Sequence, residues 1–355
     1  MDVDYVTLTN VNGIGPSRLR GLLGHFHTAT AVLRASIDQI AAVAGMSRAA
    51  ATAIKNAPKD LGEKICKRAN ELGAVILIPP DSRFPKALRE IPDAPMLLFA
   101  RGRLELLQSM CVGVVGSRDH TRYGGEVCRR LAGEVAAAGL TVVSGMARGL
   151  DAVAHHAALD AGGGTIGILG NGLGIVYPAA NRVLYDRVAL SGCLLTEFPP
   201  GERPNAGSFP RRNRLISGLS RVTVVVEAGA GSGALITAEC ALAQGREVLA
   251  VPGPITSRVS VGTNHLIQSG AKPVLEPSDI LEEYGLVAEA PQLALPADLS
   301  EGEKRLLDIL TTHDQDIDIL QGRYGAEMSE VAAVLTSLEI RGMVLQSPGK
   351  AFRRK

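Results

Sequence analysis

The chain has 355 residues, a formal net charge of +1, a 46% apolar fraction, 3% aromatics and no tryptophan. At roughly 100–200 residues per domain this length gives two or three domains, and a near-zero net charge excludes a uniformly basic surface, so any polyanion must meet basic residues gathered on one face. The core has to be aliphatic and Ala-rich, which suits helices laid on a parallel sheet, and five cysteines without C-x-x-C spacing exclude a disulfide framework and a zinc site.

The opening Met1-Asp2-Val3-Asp4-Tyr5 has no basic n-region followed by an apolar run, so no signal peptide is read and a cytoplasmic protein is expected. Residues 1–72 read as helical. Gly13-Ile14-Gly15-Pro16 is a tight turn opening a helix, with Pro16 near the first helical position. Gly45-Met46-Ser47-Arg48 repeats it with Ser47 in place of the second Gly. Paired helix-hairpin-helix turns of this kind either present backbone N–H groups to a phosphate or simply pack a small helical module.

From Ala74 onward, short β-rich runs alternate with Ala-rich helical stretches. The strands expected are Ala74–Ile78, Met96–Ala100, Cys111–Val115, Leu140–Ser144, Thr165–Leu169, Leu194–Thr196, Val222–Glu227, Glu247–Val251 and Pro273–Leu275. Helices are expected at Gly124–Ala138, Leu150–Ala161 and Ala234–Gln244. This rhythm predicts a doubly wound, Rossmann-like parallel sheet over residues 73–287, with ligands outside the carboxyl ends of its strands. The uncharged run between Asp160 and Arg182 is broken by glycines and Pro178, so it reads as strand plus loop and no membrane span is expected. Residues 288–299 read as a linker. Residues 300–355 read as three helices and a hairpin, a winged-helix unit.

The candidate sites lie at strand ends. Gly116-Ser117-Arg118 closes one strand with a small backbone, a hydroxyl and a guanidinium, the elements of a phosphate pocket or of an ordinary βα turn. Ser144-Gly145-Met146-Ala147-Arg148 repeats the arrangement at the next strand. Asp151 and His155 follow on one helical face, as an acid–base pair or as structural hydrogen-bonding groups. Gly170-Asn171-Gly172 ends a third strand, with Tyr177 as a base-stacking or core residue. Arg211, Arg212 and Arg214 crowd Phe209-Pro210-Arg211-Arg212-Asn213-Arg214 in a stretch, Arg203–Val226, that has no acidic residue. They call for phosphate or, on the other reading, for remote carboxylates. Gly229, Gly231 and Ala234 satisfy G-x-G-x-x-A only nominally, because no acid ends the next strand, and no Walker A run occurs. No nucleotide cofactor and no metal are therefore expected. Converging strand ends predict a rim that tracks several phosphates, with Phe209 and Tyr177 as stacking platforms.

Several blocks in order resemble the DNA-processing protein A (DprA/Smf) family: Gly116-Ser117-Arg118, Ser144-Gly145-Met146-Ala147-Arg148-Gly149-Leu150-Asp151, Tyr177-Pro178, Thr196-Glu197-Phe198-Pro199-Pro200-Gly201, Arg212-Asn213-Arg214, Ser232-Gly233-Ala234-Leu235-Ile236-Thr237-Ala238 and Gly262-Thr263-Asn264. The similarity spans about residues 75–280. One departure is Gly174, where the family usually carries Asp or Asn. The resemblance implies a non-enzymatic, single-stranded DNA-binding protein that loads a RecA-type recombinase during natural transformation, and a homodimer. It also implies an N-terminal sterile-alpha-motif-like domain and a C-terminal winged helix. Carried over by position, Ser117, Arg118, Ser144, Arg148, Arg212 and Arg214 become DNA-phosphate contacts; together with the strand-end reading the expected DNA-binding set is Gly116, Ser117, Arg118, Ser144, Gly145, Arg148, Gly170, Phe209, Arg211, Arg212, Asn213, Arg214, Ser232 and Gly233. A second reading is a nucleotide-binding or phosphoribohydrolase-like enzyme of similar fold, with Thr237 and Glu239 near its ligand. In the tail, Glu330 and Glu339 make the third helix a poor DNA-reading face, which points to a regulatory or protein-contact role. The basic tip of Lys350, Arg353, Arg354 and Lys355 reads as solvated charge.

Overall fold

A computed structural model describes residues 2–286, 299–311, 314–347 and 351–354. Two compact units divide the chain between Val287 and Ala288. Of the expected linker only Leu299 is described, and Lys350 and Lys355 of the basic tip lie outside the described residues.

Residues 3–71 form short helices, capped by Asp2, Thr28, Ser36 and Ser47 side chains. Gly13 and Gly45 both take positive φ, +83° and +82°, at corresponding places in the two hairpin turns. Arg18 ties the turns together: its Nη1 donates to the Gly13 carbonyl at 2.7 Å and its Nε to that of Gly45 at 3.2 Å. The helical layer then docks on the sheet. Val6, Ile65 and Ala69 pack with Ile76, Phe99 and Leu169 in one core, and Tyr5 Oη donates to the Met96 carbonyl.

The sheet has nine strands: β1 (Val75–Leu77), β2 (Leu98–Gly102), β3 (Cys111–Val115), β4 (Thr141–Ser144), β5 (Thr165–Ile168), β6 (Cys193–Thr196), β7 (Val222–Val225), β8 (Glu247–Ala250) and β9 (Lys272–Pro273). Their order is β1-β2-β6-β5-β4-β3-β7-β8-β9. β1 and β2 are antiparallel, as are β2 and β6, and every pair from β6 to β9 is parallel. Residues alternate between two buried faces: Val112 and Val114 pack with helices Arg122–Ala137 and Leu150–Asp160, while Cys111 and Val115 join the core under helices Ser208–Leu219 and Gly233–Ala243. Burial on both faces explains the unbroken apolar runs in the sequence. The chain winds outward from β3 to β6, then returns to place β7 beside β3. The switch point, where a doubly wound sheet leaves a crevice, is therefore between β3 and β7.

The second unit has helices Glu301–Ile309, Ile317–Tyr324 and Met328–Ile340 and strands β10 (Gln315–Asp316), β11 (Val344–Ser347) and β12 (Ala351–Arg354), ordered β10-β12-β11. Ser300 and Glu303 form the capping box that opens it. Its third helix exposes Ser329, Glu330, Ala333, Thr336 and Glu339, and Arg341 at its end pairs with Glu303 at 3.3 Å.

Candidate nucleic-acid interface

The carboxyl ends of β3, β4, β5 and β7 are tied to one another by a buried polar layer. Beyond β3, a Cβ on Gly116 would overlap Leu150 and stand 3.2 Å from the Glu227 carbonyl, so only glycine fits. Ser117 N donates to that carbonyl, and Ser117 Oγ accepts from Asp119 N at 3.1 Å. The Glu227 carboxylate, at the end of β7, receives Thr121 N at 2.9 Å and Thr121 Oγ1 at 2.5 Å. Glu227 thus holds the 117–121 loop to the neighbouring strand.

Beyond β4, the buried Asp151 carboxylate accepts from Gly145 N at 3.1 Å and Ala147 N at 3.3 Å. Asn181 Nδ2 donates to the Met146 and Ala147 carbonyls from the other side. Asp151 therefore shapes the 145–147 loop, and its carboxyl is pushed up by burial, with Arg212 pulling it back. His155 is fully buried and uses Nδ1 on Thr165 Oγ1 at 2.7 Å. Since the Thr165 hydroxyl donates to the Val142 carbonyl, the proton of this contact sits on His155 Nδ1. Burial drives the His155 pKa down to about 3. The two residues serve structure, not acid–base exchange with each other.

The arginine-rich stretch, for which no helix is expected from its residues, is a helix, Ser208–Leu219. Leu215, Ile216 and Leu219 bury its far end in the core. Helical spacing sends the arginines in different directions. Arg214 pairs with the buried Glu197 carboxylate at 2.5 Å and donates to the Asp93 carbonyl. Arg211 stands 3.8 Å from the same carboxylate and 5.1 Å from the Phe198 ring centroid. Burial pushes the Glu197 carboxyl up, and Arg214 and Arg211 oppose that. Arg212 turns under the rim. Its Nη1 donates to the Gly145 and Ile168 carbonyls, and its Nε to Asn213 Oδ1. Burial lowers its pKa to about 10, against the stabilising charge of Asp151.

Two expected phosphate contacts are thus engaged elsewhere in the fold, and a third stands apart from the rim. Ser144 is fully buried and its hydroxyl donates to the Val114 carbonyl at 2.7 Å. Arg214 is neutralised by Glu197 beneath the surface. Arg211, on the Glu197 side of the helix, lines neither of the rim chambers described next.

The remaining residues converge on a groove of two chambers at the carboxyl rim. The smaller, about 250 Å³, is lined by Arg118, Gly145, Arg148, Gly170, Tyr177, Phe209 and Arg212 among others, with no carboxylate in its lining. The larger, about 690 Å³, lies at the β3/β7 switch and is lined by Gly116, Ser117, Arg118, Asp119, Asp151, Phe209, Arg212, Asn213, Ser232 and Gly233 among others. Arg118, Ala147, Phe209 and Arg212 line both. At the partition the Phe209 ring lies 5.6 Å from that of Tyr177, with planes at 34°, and 5.8 Å from the Arg118 guanidinium carbon. Among the described residues Arg118 has no carboxylate partner, and Arg148 has only the exposed Asp119 at 3.1 Å. Ser232 lines the larger chamber and also caps helix Gly233–Ala243. Thr237 lines that chamber and Glu239 does not. Glu197, Glu227 and Asn181 went unassigned in the sequence, since their partners lie 17, 106 and up to 35 residues away.

A family model described as DNA recombination-mediator protein A matches residues 75–285. The chain belongs to this family. A DprA winged-helix domain model matches residues 289–350 and a SAM-like helix-hairpin-helix tandem residues 5–60. Protein Smf of Escherichia coli is 42% identical over 287 residues, 78% of this chain and 77% of its own length. The structure of DNA processing protein A from Streptococcus pneumoniae superposes with a TM-score of 0.71 at 35% identity, covering 80% of this chain and 98% of that one. DNA processing protein A from Helicobacter pylori, described in a single-stranded DNA binding mode, gives 0.55 at 30% identity, covering 59% and 95%. The mediator family is thus a DNA-processing family, and the groove lies within the segment its model matches. Among the described residues no helix is long and apolar enough to cross a membrane.

Proposed function

We propose that this protein binds single-stranded DNA, independently of base sequence and without catalysis, in the rim groove, and hands it to a RecA-type recombinase. One observation carries the reading: the smaller chamber gathers Arg118, Arg148 and Arg212 around two aromatic rings with no carboxylate in its lining. Guanidinium forks suit phosphates, and flat rings suit bases of any identity. The open groove fits a chain of nucleotides better than one mononucleotide. The Helicobacter pylori relative's binding of single-stranded DNA supports it. Recombinase loading, a cytoplasmic homodimer and a protein-contact role for the winged-helix unit complete the proposal, in keeping with the mediator family.

The test is salt. With about three phosphates neutralised, affinity for an oligonucleotide drops about twentyfold between roughly 0.05 and 0.2 M salt, at about 0.7 log units per phosphate per log unit of salt. Fluorescence anisotropy on mixed-sequence and homopolymer strands measures this. A salt-independent affinity, or base release from nucleotide monophosphates, contradicts the reading. Recombinase filament assembly on protein-coated single strands, with and without this protein, tests the hand-over.

A further inference from the structure

We propose that the DNA strand leaves the larger chamber across the end of β8, where Tyr123 supplies a further stacking face and Arg258 a further phosphate contact. This rests on the reading of the groove as a single-stranded DNA site and extends it beyond the two chambers.

The path is continuous in the fold. Val259 is part of the larger chamber's wall. Ala228 N donates to the Val259 carbonyl at 2.7 Å, and a Cβ on Gly229 would stand 3.2 Å from the Arg258 carbonyl. The 253–259 loop is therefore strapped to the Gly-rich loop that ends β7. It is fixed again at its start, where Gly253 N donates to Asn264 Oδ1 and Asn264 Nδ2 returns a bond to the Gly253 carbonyl. Between these clamps the loop exposes Ile255, 92% accessible, and Arg258. Nothing in the fold uses either side chain: Arg258 has no ion pair or hydrogen bond among the described residues. Tyr123 reaches the same place from the helix that follows β3. Its Oη donates to the Pro252 carbonyl at 3.0 Å, while the residue stays 44% exposed.

A ring tethered at its hydroxyl has its orientation set in advance, so a base that stacks on it orders little that is not already ordered. An unpaired guanidinium beside an exposed apolar side chain suits the phosphate and base of one nucleotide. β7 and β8 are neighbours, so this position lies about 5 Å further along the rim, within reach of a strand already seated at the switch point.

Strand length separates the two claims. Two oligonucleotides, of about 6 and about 20 nucleotides, are titrated against wild type, Tyr123→Ala, Tyr123→Phe, Arg258→Ala and Arg118→Ala. For the long strand, Tyr123→Ala weakens binding about tenfold, and Tyr123→Phe, which keeps the ring, by much less. Arg258→Ala flattens the salt slope by about 0.7. For the short strand, held by the chambers, both leave affinity unchanged, which also shows that the variants are folded. Arg118→Ala weakens both strands. If neither Tyr123→Ala nor Arg258→Ala alters long-strand binding while Arg118→Ala does, the exit path is wrong and the groove stands. If wild type binds neither strand, both fall together.

Discussion

Arg214 and Arg118 stand at the same end of the sheet with the same charge, and their surroundings give them opposite roles. Arg214, its side chain 12% exposed, pairs with the buried Glu197 carboxylate, so its charge is cancelled and it serves as a brace. Arg118 lies across the Phe209 ring at the open rim, with no carboxylate partner among the described residues. The difference separates an inner polar layer, which sets the shape of the loops, from an outer layer that faces solvent. Asp151, His155, Glu197 and Glu227 belong to the first, and Arg212, held by the Gly145 and Ile168 carbonyls yet lining both chambers, joins the two. Arg118, Arg148, Tyr177 and Phe209 belong to the second. A cluster of arginines in sequence therefore identifies a surface only after the buried carboxylates have been subtracted.

The largest effect that sharpens this division comes from the inner layer. Glu197→Ala leaves Arg214 buried without its counter-charge and lowers stability by about 3–5 kcal/mol. Arg118→Ala, in the same urea titration, stays within about 0.5 kcal/mol of wild type. Equal losses from the two would erase the distinction.

Next comes pH. The folded chain holds His155 neutral down to about pH 3, while its ordinary value is 6.5. Between those values the unfolded chain takes up a proton that the folded chain refuses. The stabilisation is complete above pH 6.5 and is lost as pH falls toward 3. The wild-type unfolding free energy from urea titration therefore drops on this limb more steeply than that of His155→Gln, by about 1.4 kcal/mol per pH unit. Glu197 and Asp151 titrate in both proteins, so the difference isolates the histidine.

The outer layer gives smaller changes, in binding only. Phe209→Ala and Arg118→Ala each weaken single-strand affinity about tenfold, and only Arg118→Ala also flattens the salt slope by about 0.7. Smallest of all, Glu330→Gln with Glu339→Gln on the third helix of the second unit changes stability by less than about 0.5 kcal/mol and leaves DNA affinity unaltered. A gain in affinity there would place DNA on that helix.

The sheet was legible because burial on both faces leaves long aliphatic runs that end at glycine. Cys111–Val115 is read to the residue, and β4, β5 and β8 to within one at an end. The helix at Ser208–Leu219 is hidden in the sequence because Asn205, Gly207 and Pro210 are loop-favouring residues at its start, and its inward face carries Arg212 and Asn213 beside Leu215 and Ile216. Its apolar stripe is interrupted by polar residues that pair with backbone from other elements of the sheet and its flanking helices. Sequence spacing finds the rim from Gly116, Gly145 and Gly170. It does not find which guanidinium meets Glu197, since that contact depends on how β6 and a later helix pack.

Among the described residues the cations that line the two chambers are all arginines, and Arg212, the one held under the rim, keeps its proton to about pH 10. Among the described residues no histidine or lysine contributes to either wall. The cationic charge of the groove is therefore constant from mild acid through neutrality. Its arginines keep their hold on an anion over that range, and the concentration of competing ions is what loosens it.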